Sequence, residues 1–289
     1  MSVEVSLSGR SALVTGGGTG IGFGIARRLL QAGARVTIAG RRQEVLETAA
    51  AELETDARDG ASVAWTRCDV TVEEEVESAV AAAADSEGRL DIAVANAGSG
   101  SPGPILAQTP DSWRYSFDIN ILGSAMTIKH AALRMRDAGR GAIVTISSQS
   151  ALRPTRWMAP YTVTKAGLDA LVHCAAQELA PFGIRVNGIR PGLVMSESVS
   201  LVFDDDMREA LTQRTLLGRP GEAEEVGDGV LYLVSDLSSW VTGQVMNVCG
   251  GITASDHDDF SSLCRRMLGD EAFEALTRPP TGPRPRDGD

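Results

Sequence analysis

Short runs rich in Val, Ile and Ala recur along the chain, separated by longer stretches in which Ala, Leu and Glu repeat at helical spacing. Residues 11–15 (SALVT), 34–39 (ARVTIA), 62–67 (SVAWTR), 91–95 (DIAVA), 141–146 (GAIVTI), 184–189 (IRVNGI) and 244–248 (QVMNV) predict seven strands. These are near-continuous apolar runs rather than alternating ones, the pattern of strands covered on both faces of a parallel sheet. Residues 22–32, 42–57, 72–86, 111–138, 160–181 and 222–236 predict the helices between them. Regular alternation of this kind implies right-handed crossovers and an α/β fold, a doubly wound parallel seven-stranded sheet with helices on both faces. No repeat or linker divides residues 1–251, which read as one domain; 252–277 read as a helical extension, and the Pro/Arg/Asp-rich residues 278–289 predict disorder.

Composition narrows the function classes. The 289 residues are 43% hydrophobic and 22% charged, ordinary for a globular chain with a full core. A net charge of −11 opposes nucleic acid, which needs a basic face, and opposes an anionic membrane surface. The N-terminus carries no basic segment followed by an apolar one, and no apolar run approaches the roughly eighteen residues of a membrane span. Cys68, Cys174, Cys249 and Cys264 are widely spaced, and His130, His173 and His257 show no ligand spacing, so no metal site is expected. Reduced thiols fit a cytoplasmic protein.

The first strand runs directly into Thr15-Gly16-Gly17-Gly18-Thr19-Gly20-Ile21-Gly22 and then a helix. Glycines there let backbone approach a pyrophosphate, whose charge a helix N-terminus favours. No Lys follows them, as NTP hydrolysis by a Walker loop would require. An NAD site typically places an acid about twenty residues further on, to bind the ribose 2′-hydroxyl. This chain has Gly40 there, followed by Arg41 and Arg42. A guanidinium suits a 2′-phosphate, which a carboxylate would repel, so NADP(H) is expected over NAD(H).

Further along, Asp69-Val70, Asn96-Ala97-Gly98, Asn120 within FDINILG, Ser148, Tyr161-Thr162-Val163-Thr164-Lys165, Pro191-Gly192, Leu217-Gly218-Arg219 and Thr242-Gly243-Gln244 occur in order. With the TGxxxGIG turn, this series resembles the short-chain dehydrogenase/reductase family, in its branch of about 250 residues, from Ser8 to about Gly251. The resemblance implies a Rossmann-like fold and an NAD(P)-dependent enzyme interconverting a carbonyl and an alcohol. It implies Asn120, Ser148, Tyr161 and Lys165 as catalytic residues. Tyr161 would protonate the carbonyl oxygen, Ser148 would hydrogen-bond it, and Lys165 would hold the nicotinamide ribose. Asn120 would kink its helix and hold a water relaying protons to Lys165. Gly16, Gly18, Thr19, Gly20, Ile21, Gly22, Arg41, Asp69, Val70, Asn96, Ala97, Gly98, Tyr161, Lys165, Pro191, Gly192, Val194 and Ser196 would line the cofactor, with Ser196 where members usually have Thr. Independently of family, Tyr161 and Lys165 share a helix face at i,i+4. An adjacent ammonium there is expected to draw the phenol's pKa down toward neutrality.

Residues 149–160 and 193–214 follow the catalytic Ser and the Pro-Gly pair, where the family's substrate contacts lie. Trp157, Met158, Val199, Leu201, Val202 and Phe203 imply an apolar pocket for a bulky ketone. Arg153 and Arg156 read as exposed loop residues, with pairing to an anionic substrate as the alternative, and a helix is expected to start near Asp206. Cys249 replaces the Asp that many members carry and reads as a small buried thiol. Two other functions are weighed. A 3-oxoacyl carrier-protein reductase would need a basic docking surface, yet Phe182 stands where such enzymes commonly carry Arg. A non-catalytic nucleotide sensor would have a broken Tyr-Lys pair. Finally, Phe260, Leu263, Cys264, Met267 and Leu268 form an apolar helical stripe. It packs either on its own subunit or across the interface of a homotetramer or homodimer, the assemblies usual in the family.

Overall fold

In a computed structural model, residues 5–58, 60–195, 205–255 and 261–278 are described. Seven parallel strands, β1 (Ser11–Thr15), β2 (Arg35–Gly40), β3 (Ser62–Arg67), β4 (Ile92–Ala95), β5 (Gly141–Ile146), β6 (Ile184–Pro191) and β7 (Val245–Val248), form one sheet in the order β3-β2-β1-β4-β5-β6-β7. The strand order reverses between β1 and β4. In such a sheet, ligands bind beyond the C-terminal strand ends at this crevice.

The connecting helices are α1 (Gly20–Gln31), α2 (Gln43–Glu54), α3 (Glu73–Ala83), α4 (Pro110–Phe117), α5 (Gly123–Arg136), α6 (Ala159–Leu179), α7 (Asp205–Gln213) and α8 (Ala223–Val234). Successive strand side chains point to opposite faces, so β1 feeds two cores. Ala12 and Val14 join Ile25, Leu29 and Leu30 of α1 and Val226, Val230 and Leu233 of α8, whereas Leu13 joins Val76, Met135 and Val172 on the other face. Each fully buried Leu or Ile contributes on the order of 1.5–3 kcal/mol.

Two expectations are corrected. The inner strands are buried on both faces, but β3 and β7 are half-exposed along most of their length. They close the two edges of the sheet, where a second neighbour is missing. The helix expected over 111–138 is interrupted by a π-helical turn, Asp118–Leu122, between α4 and α5. Asn120 lies within that turn, and such bulges are frequent at functional sites. The helix expected near Asp206 is described over Asp205–Gln213, with Asp205 and Asp206 in its first turn.

Residues 1–255 form one compact unit and 256–289 a second. The second contains α9 (Ser261–Leu268) and α10 (Asp270–Thr277), tied together by Arg265. Its guanidinium bonds Glu274 at 2.5 Å and lies 4.4 Å from the Phe273 ring centroid. Phe260, the first residue of the apolar stripe, is outside the described residues, as are 279–289. No helix among the described residues is long and apolar enough to cross a membrane.

Candidate active site

The site begins where β1 meets α1. Gly16 has φ +66° and Gly20 φ +55°, left-handed values that glycine adopts without strain. At Gly22 a Cβ would fall on the Gly16 carbonyl oxygen and within 2.5 Å of Asn96 Nδ2, so only glycine fits. Thr19 precedes α1 in extended conformation without capping it, and the helix carries no acid in its first turn. Its N-terminal N–H groups are thus free of side-chain caps, as an anion site requires.

Thr15 and Asn96 lock the facing strand ends. The Thr15 hydroxyl donates to the Val94 carbonyl at 3.3 Å and accepts from the amides of Asn96 at 3.1 Å and Ala97 at 3.2 Å. Asn96 Nδ2 returns bonds to the carbonyls of Thr15 at 2.9 Å and Gly16 at 3.2 Å. From this turn a cavity of about 440 Å³ runs along the sheet's C-terminal edge. It is lined by Gly16, Gly18, Thr19, Gly20, Ile21, Gly22, Arg41, Asp69, Val70, Asn96, Ala97 and Gly98, and it reaches Tyr161 and Lys165. Arg41 and Arg42 border it beside the bare Gly40, their guanidinia without a hydrogen bond or ion pair among the described residues. Asp69 is partly buried, which pushes its carboxyl up. The bonds it accepts from Thr71 N and Oγ1, with the charges of Arg41 and Arg67, nevertheless bring it below the usual range. Uncapped helix amides, a cradle without Cβ atoms and free guanidinia together fit a dinucleotide phosphate ligand.

The other candidates stand in different places. Asn120 is buried behind Gly98. Its Nδ2 donates to the Ser99 carbonyl at 2.7 Å and Thr164 Oγ1 at 3.0 Å, and its Oδ1 accepts from the Ser99 amide at 3.1 Å. The side chain is thereby committed to holding the loop after β4 against α6. Ser148 ends β5's continuation, with its hydroxyl accepting from the Ser150 amide at 3.1 Å and hydrogen-bonded to Tyr161. Pro191, Gly192 and Val194 do not line the main cavity. Val194 instead borders a second one with Leu217, Arg219 and Cys249. Ser196, Val199, Leu201, Val202 and Phe203 are outside the described residues.

Lys165 is 3% exposed, and its Nζ donates to the Ile146 carbonyl at 2.8 Å, 5.6 Å from the Tyr161 ring centroid. Burial draws the ammonium down to about 8, against the Asp169 carboxylate, which holds it up. The expected lowering of the phenol is corrected here. Burial pushes Tyr161 above its ordinary value, and the hydrogen bond with Ser148 offsets this only in part. Desolvation of the phenolate outweighs an ammonium that is bonded elsewhere.

Two readings at the rim also change. Arg153 is not a free loop residue: its Nη1 donates to the Ile252 carbonyl at 2.7 Å and Ser255 Oγ at 3.2 Å. Arg156 is exposed, with its guanidinium 4.5 Å from the Trp157 ring centroid. Cys249 is half-buried, which pushes its thiol up. Hydrogen bonds from the Thr253 side chain and the amides of Thr253, Gly251 and Ile252 pull it lower than usual without any basic neighbour. The sequence reading did not include Ser99, Ile119, Ile146 and Ser147, which line the main cavity. Their signal was adjacency to Gly98, Asn120 and Ser148.

A family model described as "Enoyl-(Acyl carrier protein) reductase" matches residues 16–253. Human dehydrogenase/reductase SDR family member 4 is 38% identical over 248 residues, 85% of this chain and 88% of that protein. The 7alpha-hydroxysteroid dehydrogenase of Escherichia coli K12 is 32% identical over 250 residues, 86% of this chain and 96% of its own. A short-chain type dehydrogenase/reductase structure from Mycobacterium ulcerans is similar with a TM-score of 0.84 and 39% identity, covering 94% of this chain and all of that one.

Proposed function

Because the chain belongs to the short-chain dehydrogenase/reductase family, and so to the oxidoreductases of alcohol and carbonyl groups, we propose that it interconverts a ketone and a secondary alcohol, using NADP(H) in preference to NAD(H). One observation carries this reading: the cavity that starts at the uncapped N-terminus of α1 ends on Tyr161 and Lys165. Gly16, Gly18, Thr19, Gly20 and Gly22 hold the pyrophosphate, and Arg41, with Arg42 beside it, binds the 2′-phosphate where an acid would repel it.

The bound nicotinamide supplies or accepts the hydride. The chain handles the proton. Tyr161, oriented by Ser148, gives its phenolic proton to the carbonyl oxygen during reduction and takes it back during oxidation. A phenol held above its ordinary pKa stays protonated at neutral pH, which suits the reductive direction. Ser148 donates to the same oxygen, Lys165 binds the nicotinamide ribose, and Asn120 keeps the loop after β4 and α6 in register. The family resemblance would bring Pro191, Gly192, Val194 and Ser196 to the nicotinamide, although the first three lie outside the lining of the main cavity and Ser196 outside the described residues.

Trp157 and Met158, which precede Tyr161 along the chain, support a bulky apolar ketone, with a steroid as the leading class given the E. coli relative's name. A carrier-protein substrate is disfavoured by the net charge of −11, which repels an acidic partner, and by the exposed Phe182. A sensor without chemistry is disfavoured because Asn120, Ser148, Tyr161 and Lys165 are all present. Exposed Phe117, Leu122, Leu133 and Val163, with Trp240 at 99% exposure near β7, support a homotetramer or homodimer. Four unpaired thiols support a cytoplasmic location. A panel of ketones and alcohols read by cofactor absorbance tests the reading. Turnover with a lower KM for NADPH than for NADH is expected; outright preference for NADH refutes the cofactor assignment.

A further inference from the structure

One helical turn beyond Lys165 lies an ion pair that no step above uses. Asp169 follows Lys165 at i+4 on α6 and is 7% exposed. Its Oδ2 accepts from Arg190 Nε of β6 at 2.7 Å. Arg190 is held in turn by the Val245 carbonyl at 2.9 Å and Asn247 Oδ1 at 3.4 Å, both on β7. The second carboxylate oxygen, Oδ1, is buried with no hydrogen-bond donor among the described residues. Buried ion pairs are weak contributors to stability compared with apolar packing, so this one needs another account.

Composition points to the same place. Lys129 and Lys165 are the only lysines in the chain, and every other basic side chain, histidine apart, is arginine. Arginine cannot release a proton near neutrality, whereas a buried lysine can. The groups around the Lys165 ammonium are few. Its own helix presents Tyr161 and Asp169, and β6 presents Arg190, which is paired to Asp169. The loop after β4, the π-helical turn and the end of β5 present the neutral Gly98, Asn120 and the Ile146 carbonyl. Asp169 is therefore the anion that acts on Lys165 among the described residues.

We propose that Asp169, fixed in place by Arg190, is a positioning residue whose carboxylate holds Lys165 in its charged form at the working pH of the site. This rests on the catalytic reading of Lys165 given above. With only two lysines, protein labelled with 13C at lysine Cε gives two side-chain signals, so NMR titrates the ammonium directly without cofactor. The buried signal should titrate near 8 in the wild type. Asp169→Asn should lower that midpoint by about one pH unit, and the alkaline limb of reductive kcat/KM should move with it. Asp169→Glu should keep the midpoint close to the wild-type value. Asp169→Asn leaves a buried guanidinium without its anion and can fail to fold. The double variant Asp169→Asn/Arg190→Gln is therefore measured beside it, with a displacement in the same direction expected, smaller because a cation leaves together with the anion. An unmoved midpoint in the folded variants, even with a lower Tm, would reduce the pair to structure and overturn the proposal. A displaced NMR midpoint with an unmoved activity limb would keep the hold of Asp169 on Lys165 and instead sink the catalytic reading of Lys165.

Discussion

Replacing Lys165 with methionine measures what the site costs the fold. Lysine ordinarily titrates at 10.5, and burial brings this one to about 8. At about 1.4 kcal/mol per pH unit, that gap is on the order of 3 kcal/mol. The sign follows from proton counting. Between pH 8 and 10.5 the unfolded chain holds more protons at this residue than the folded one, so folding becomes more favourable as pH rises. Below 8 both states are charged and the cost is full and constant. Methionine has a similar length and no proton, so Lys165→Met removes this dependence. It also leaves the Ile146 carbonyl without its donor, a cost of about 1–3 kcal/mol that does not vary with pH. Denaturant unfolding of both proteins at matched pH cancels every other titration in the difference. Wild-type stability relative to the variant should be flat from about pH 6 to 7.5 and then rise by about 1.4 kcal/mol per unit toward pH 10. A difference that stays flat from pH 7 to 10 would show that Lys165 keeps an ordinary pKa and refute the reasoning.

Gly22→Ala places a methyl on the Gly16 carbonyl and against Asn96. Calorimetry should show loss of NADPH binding, with folding weakened by about 1–3 kcal/mol; normal affinity would contradict the cradle. Arg41→Ala should raise KM for NADPH at least about tenfold, and far more than KM for NADH, by removing a charge-assisted contact of about 1.5–3 kcal/mol. Equal effects on the two cofactors would show that Arg41 does not read the 2′-phosphate.

Much of this was legible in the chain because its determinants are local. The glycine spacing from Gly16 to Gly22, the apolar runs of the inner strands and the Tyr161/Lys165 interval each fix geometry within one element or one turn. Determinants that span elements were not legible. Residues 62–67 and 244–248 read like inner strands, and only the spatial order of the sheet exposes them as edges. Arg153 reads as loop until the chain returns Ile252 and Ser255 to it. The phenol's shift depends on how deeply Tyr161 is enclosed, which the i,i+4 spacing does not encode. Asp169 and Arg190 meet because α6 packs over β6, although the scarcity of lysine was visible in the composition.

The central claim is that Tyr161 moves the proton at a carbonyl while the rest of the site holds the cofactor. It is tested most directly by comparing wild type and Tyr161→Phe on one reducible ketone with NADPH, with cofactor affinity measured in parallel by fluorescence. The phenylalanine variant should bind NADPH about as tightly as the wild type and lose at least about a hundredfold in kcat. Near-normal kcat in a variant that binds cofactor normally would contradict the account.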